Sequence, residues 1–318
     1  MSSSLWPERE NPPLSGVIWF RASSVPERIK PVATPAWREL FPFESRTLEV
    51  PSGRLHYVDE GPEVANPILC LHGNPTWSFH YRRLIAEARH FHRVVAFDHM
   101  GMGLSDRPTD FSYTLADHVK NAIALVDALD LRKITLVVHD WGGAIGMGLA
   151  LARPERIARI TLMNTAAFLI PRLPKRIAIC RMGFLGEFIT RGLNGFARAA
   201  TTQTTSVPLH PDVRAGYLAP YASWRRRIGI WNFVRDIPME PTHRSRVTLA
   251  KIDEGLKTLQ KPIQILWGER DWCFTPEFRA EWQKRFPNAY VHKFEDASHY
   301  LIEDEPDGVI ARIRDFAS

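Results

Sequence analysis

Ile134-Thr135-Leu136-Val137-Val138-His139-Asp140-Trp141-Gly142-Gly143 decides the reading of this chain. The run Ile134–Val138 is short and continuously apolar apart from one threonine, which suits a strand buried on both faces of a parallel sheet. The two glycines that follow allow the chain to turn at once into a helix. Such a strand–turn–helix elbow lifts one side chain out of the backbone and into a pocket. Here that side chain is Asp140, where a serine or cysteine is more often met. A carboxylate nucleophile can attack an sp³ carbon and hold it as an ester. The plainer alternative is an aspartate at a strand end capping the next helix.

The pattern continues on both sides. Ile68–Leu71, Val94–Phe97 and Ile160–Met163 are similar apolar runs, with helical spacing over Leu115–Leu129. Further on come Ile263–Trp267, a helix over Pro276–Phe286, the strand Tyr290–Phe294 and a last helix over about Pro306–Phe316. Thr47–Val50 and Arg54–Val58, joined by Pro51-Ser52-Gly53, read as a hairpin at the start. Alternating strands and helices predict a mostly parallel sheet flanked by helices. Residues 166–248 break the rhythm, being Arg-rich, aromatic and helical, and predict a cap inserted between core segments 46–165 and 249–318. Residues 1–45 are Pro-rich without periodicity and read as an arm, with Trp6, Trp19 and Phe20 able to pin it to the body or a partner.

Composition narrows the classes. The chain has 318 residues, 45% hydrophobic and 24% charged, with a formal net charge of +6, so it can bury a large core. The plain reading of the basic excess is a solvated Arg-rich surface; the sharper one is attraction to an acidic partner or a membrane face. No basic run supports nucleic-acid binding. Three cysteines, Cys70, Cys180 and Cys273, make no disulfide framework. MSSSLWPERE has no apolar signal region, and there is no long apolar span, so a cytoplasmic location is expected. No Cys/His spacing implies a metal, and no cofactor is expected.

Four residues join Asp140 as site candidates. His72-Gly73-Asn74-Pro75 follows a strand, and Asn74 there can donate an amide N–H to an anion. Trp141 carries an indole N–H that can only donate. Two neutral donors aimed at one point stabilise a departing halide or an oxyanion without neutralising the nucleophile. His299, in Asp296-Ala297-Ser298-His299-Tyr300 after a strand, fits the chain order nucleophile, acid, histidine. Asp271, in Trp267-Gly268-Glu269-Arg270-Asp271, is the expected acid behind His299, with Glu269 as competitor; an earlier slot for the acid holds Asn164, which does not ionise. His139 is expected to point into the sheet, His72 to be a structural hydrogen-bonder, and Asp98 to fix its Gly-rich loop.

HGNPTWSF (72–79), HDWGG (139–143) and the acid at Asp271 together resemble the haloalkane dehalogenase family of α/β-hydrolases, from about Leu55 to the C-terminus. The resemblance implies an α/β-hydrolase fold with an eight-stranded sheet and cap. It implies Asp140 as nucleophile, His299 as base, Asp271 as acid, and Asn74 with Trp141 as the halide-binding pair. The pair with a late acid looks like the third dehalogenase subfamily, close to the β-lactone decarboxylases of olefin biosynthesis. The phrases PKRIAICR (174–181) and RGLNGFARAA (191–200) are similar to those decarboxylases. The first expectation is hydrolytic dehalogenation of a haloalkane, with water releasing the alcohol from an ester on Asp140. The alternative is conversion of a long-chain, lipid-like β-lactone to an alkene, in possible assembly with lipid-pathway enzymes. Epoxide hydrolysis ranks lower, because Tyr217 and Tyr221 are too close in sequence to make the usual tyrosine pair. A protein that only binds ligand ranks last, since all three triad residues are present.

Overall fold

In the computed structural model, residues 35–170 and 173–318 are described; residues 1–34, with Trp6, Trp19 and Phe20, lie outside them. Eight strands form one sheet: β1 (Arg46–Val50), β2 (Gly53–Glu60), β3 (Pro67–Leu71), β4 (Arg93–Phe97), β5 (Ile134–Asp140), β6 (Ile157–Thr165), β7 (Ile263–Gly268) and β8 (Tyr290–Phe294). Their order is β1-β2-β4-β3-β5-β6-β7-β8. The β1–β2 hairpin and the β2–β4 pair are antiparallel, and every later pair is parallel. The expected mostly parallel, eight-stranded sheet flanked by helices is the fold observed. β3 and β5 are buried along their whole length, which is why they read as unbroken apolar runs and not as alternation.

The helices are α1 (Arg82–Ala88), α2 (Leu115–Ala128), α3 (Trp141–Ala152), α4 (Lys175–Arg181), α5 (Gly183–Glu187), α6 (Gly195–Gln203), α7 (Pro211–Leu218), α8 (Ile228–Arg235), α9 (Arg246–Gly255), α10 (Pro276–Arg285), α11 (Leu301–Asp304) and α12 (Pro306–Ala317). One π-helical turn, Phe188–Gly192, joins α5 to α6. The chain between β6 and β7 is thus a run of short helices. α3 is apolar nearly all round and packs on β3, β5 and β6, as a helix buried beside a central sheet must. α2 starts cleanly because the Thr114 side chain accepts from the Asp117 N–H.

Register explains where the site lies. Leu71 pairs with both Phe97 and Val138, Met163 with Leu266, and Gly268 with Phe294. The C-terminal ends of the parallel strands therefore line up, and the loops leaving them converge on one rim of the sheet. Open α/β sheets bind ligands at that rim. Ahead of β1, Phe41 and Phe43 are buried, and Trp37 and Phe41 pack against Trp77 and Phe79.

Candidate active site

The turn after β5 is sharp. Asp140 has φ 50° and ψ −124°, a conformation L-residues rarely adopt, held here because β5 and α3 are both locked in the core. Crowding around the elbow dictates the glycines: a Cβ on Gly142 would lie 2.1 Å from the Leu71 carbonyl oxygen, and one on Gly73 would lie 2.1 Å from Asp140 Oδ1. Thr165 Oγ1 donates to the Asp140 carbonyl at 2.5 Å and ties the elbow to β6.

Asp140 is buried. Its Oδ1 accepts the Asn74 backbone N–H at 2.6 Å, its Oδ2 lies 4.0 Å from His299 Nε2, and the residue borders the cavity. Burial raises the Asp140 pKa, against the His299 charge and the backbone N–H groups of Asn74 and Trp141.

His299 Nδ1 donates to Asp271 Oδ2 at 2.8 Å, which leaves Nε2 facing Asp140. Burial pulls the His299 pKa down, but Asp271 and then Asp140 outweigh it, and the net shift is upward. Asp271 is saturated: Oδ2 also accepts from Asn164 Nδ2 at 3.0 Å, and Oδ1 accepts the N–H groups of Cys273 at 2.6 Å and Phe274 at 3.0 Å. Glu269 is turned away and paired with Arg279 at 2.6 Å. The structure therefore brings Asp140, His299 and Asp271 into one line and leaves Glu269 out of it.

Asn74 and Trp141 both border the cavity above Asp140. One N–H of the Asn74 amide is already used, donating to the Ile230 carbonyl at 3.1 Å, so only its second N–H is available for a ligand. The Trp141 indole N–H has no acceptor among the described residues, and its ring rests against Phe233 at 5.3 Å.

Some supporting residues were not legible as such. Asn164, passed over because it does not ionise, bridges Asp271 to the Gly268 backbone, donating to its carbonyl and accepting from its N–H. His139 Nε2 donates to the His299 carbonyl at 2.8 Å and so fixes the loop that carries His299; its place at the end of a buried strand was the only hint. His72 Nδ1 donates to the Gly73 carbonyl, and its Nε2 accepts the His99 N–H, a structural role that also fixes its tautomer. Asp98 is fully buried and accepts the N–H groups of Ser78 at 2.7 Å and Leu104 at 2.8 Å, holding its loop. The Tyr217 hydroxyl donates to Glu303, and that of Tyr221 to the Thr76 carbonyl. Neither borders the cavity, so Tyr217 and Tyr221 do not form a pair facing Asp140. No cluster of His, Cys, Asp or Glu able to hold a metal occurs among the described residues.

The cavity itself is about 1310 Å³, above the roughly 300–1,000 Å³ usual for small-molecule sites. Its walls are largely apolar, with Phe168, Leu169, Ile177, Ile189, Val234 and Phe278 above the polar floor of Asp140, His299, Asn74 and Trp141.

This sheet, this elbow and this rim are those of one large class, and residues 66–306 match the family described as the alpha/beta hydrolase fold. The chain belongs to that family. Among its relatives, the cis-3-alkyl-4-alkyloxetan-2-one decarboxylase of Shewanella oneidensis is 41% identical over 285 residues, covering 87% of this chain and 89% of that protein. The enzyme of the same name from Xanthomonas campestris is 37% identical, covering 87% and 96%. Haloalkane dehalogenase 2 of Mycobacterium tuberculosis is 33% identical, covering 86% and 95%. The crystal structure of a haloalkane dehalogenase from Bradyrhizobium elkani superposes with a TM-score of 0.79 at 25% identity, covering 87% of this chain and 100% of that one.

Proposed function

We propose that this enzyme decarboxylates a β-lactone bearing alkyl arms on C3 and C4, giving an alkene and CO₂. The large apolar cavity above a carboxylate carries the reading. A short haloalkane would leave most of that volume unfilled, whereas two alkyl arms gain binding energy at about 0.8 kcal/mol per buried CH₂. The two relatives named for an alkyl-substituted oxetan-2-one, at 41% and 37% identity, support it over the dehalogenase reading that the motifs alone put first.

The chemistry follows from the floor. Asp140 Oδ1 is held by a backbone N–H, so Oδ2 attacks C4 of the lactone. The C4–O bond breaks, and the ring opens to a carboxylate on C3 while C4 becomes an ester of Asp140. Trp141 and the second Asn74 N–H stabilise the ring oxygen as it takes up charge. The electron pair of the C3–carboxyl bond then forms the C3–C4 double bond, CO₂ leaves, and the C4–O bond to Asp140 breaks to restore its carboxylate. No water is consumed. His299, whose protonated form Asp271 and Asp140 favour, gives the departing Asp140 carboxylate a counter-charge when it carries the proton. Inversion at C4 followed by anti elimination turns a cis lactone into a cis alkene. The helices between β6 and β7 act in this reading as the cap that shapes the cavity.

Hydrolytic dehalogenation is the second reading, and the Asp271–His299–Asp140 line favours it, because a histidine so placed can activate water against an alkyl ester. Product analysis separates the two. Purified enzyme given a cis-dialkyl β-lactone and, separately, a bromoalkane should yield cis alkene far faster than bromide. Bromide release orders of magnitude faster than alkene formation would overturn the proposal and leave the triad in place.

A further inference from the structure

The helices between β6 and β7 carry an exposed apolar face that neither reaction explains. Phe184 is 84% exposed, Met182 54%, Leu185 49% and Phe188 46%, with Ile179 and Leu193 beside them. Single exposed hydrophobics are ordinary, but six within the fifteen residues from Ile179 to Leu193 are a concentration of exposed apolar side chains of the kind that marks a contact surface. Ile179 also lines the cavity, so the exposed apolar stretch adjoins the candidate active site.

Charge identifies what covers it. Residues 166–248 hold thirteen of the 41 Lys and Arg but only four of the 35 Asp and Glu, a net +9, while the rest of the chain carries −3. All of the basic excess lies in the segment that exposes the patch. Lys175, Arg198, Arg225 and Arg226 are exposed and have no carboxylate partner within 4.0 Å among the described residues. Arg191 stacks on the half-exposed Trp224 at 4.5 Å, which places an interface-seeking aromatic next to the charges. A protein partner would have to supply both an apolar surface and a matching excess of acids. An anionic bilayer supplies both at once, as headgroups over acyl chains.

We propose that this face docks the enzyme on an anionic lipid bilayer, with Met182, Phe184, Leu185 and Phe188 entering the headgroup region and the unpaired basic residues meeting lipid phosphates. No helix among the described residues is long and apolar enough to cross a membrane, so the contact is interfacial. Docking would set the cavity entrance against the phase in which a two-tailed apolar substrate resides and into which an alkene product partitions.

The test uses the full chain and vesicles of phosphatidylcholine with or without phosphatidylglycerol, read by co-sedimentation. Wild type should bind the phosphatidylglycerol vesicles and be released by high salt, and should bind pure phosphatidylcholine weakly. Phe184→Glu with Phe188→Glu, and separately Arg225→Glu with Arg226→Glu, should each lower binding about tenfold or more. Phe184→Glu alone guards against misfolding, since that side chain is almost fully exposed. All variants should keep wild-type melting and wild-type turnover of a short-chain, water-dispersed lactone. Absence of binding to anionic vesicles at low salt overturns the proposal. So does concentration-dependent self-association of wild type that Phe184→Glu abolishes, because the face is then a contact between copies of this chain. Binding is read without turnover, so its failure and the failure of the lactone chemistry are separate results.

Discussion

Asp271→Asn is the sharpest probe of the site. Four N–H groups converge on the Asp271 carboxylate: His299 Nδ1 and Asn164 Nδ2 on one oxygen, Cys273 and Phe274 on the other. An asparagine offers one acceptor and one NH₂ donor, so two of the four donors must face another donor. Leaving buried donors unmet costs about 1–3 kcal/mol of stability. If the NH₂ turns to His299, Nδ1 becomes the acceptor, the proton moves to Nε2, and the imidazole can no longer take a proton from water. In a serine-protease triad the corresponding change lowers kcat about 10⁴-fold. The same loss is expected here in hydrolysis of an alkyl ester on Asp140, so intact-protein mass spectrometry after bromoalkane treatment should show the ester accumulating. Alkene formation, which needs no water, should fall much less. The His299 titration, followed by NMR, should drop from above the usual imidazole value to below it, because Asp271 is the main influence holding it up against burial. Glu269→Gln should break the Arg279 pair and cost about 1–3 kcal/mol in stability without moving that titration. An unchanged His299 titration and undiminished ester hydrolysis in a folded Asp271→Asn protein would refute the assignment.

Further outcomes are expected at the same site. Gly73→Ala should lower turnover about a hundredfold or more with little change in far-UV circular dichroism, because its Cβ falls where Asp140 Oδ1 sits, and about 1 Å of misplacement carries that penalty. Trp141→Phe keeps the ring and removes the N–H; single-turnover formation of the Asp140 ester should slow about a hundredfold, equivalent to about 3 kcal/mol. For pH, His299 has a raised pKa, so its neutral, proton-accepting form is lost as pH falls through that value. Ester hydrolysis should therefore decline on the acid side of a point above the ordinary histidine pKa, whereas alkene formation should lack that limb. A shared acid limb in both rate profiles would place His299 as a base in both reactions.

The strands around the elbow were readable because burial on both faces leaves a direct mark, an unbroken apolar run. Ile68–Leu71 and Tyr290–Phe294 appear in the structure within one residue of their expected bounds. The β6 strand extends further, over Ile157–Thr165, because its outer residues Ala158 and Arg159 are only partly buried and weaken the apolar signal. Asp140, His299 and Asp271 could be picked out as candidates because each lies at or shortly after a strand end, and strand ends share one rim. The partners of Asn164 and His139 were not readable for the opposite reason: Asp271 and the His299 carbonyl are 107 and 160 residues away in the chain.

What the sequence determined by itself was local in origin: alternation of strand and helix, small residues at a crowded turn, and an ionisable group at each loop that leaves the sheet. Those depend on neighbours a few positions apart, and periodicity records them. Tertiary structure alone decided how the groups divide their hydrogen bonds. It turned Glu269 to Arg279 and Asp271 to His299, spent one Asn74 N–H on Ile230, and shaped a largely apolar cavity of about 1310 Å³ above Asp140. Those outcomes depend on distances between residues far apart in the chain, to which no spacing pattern responds.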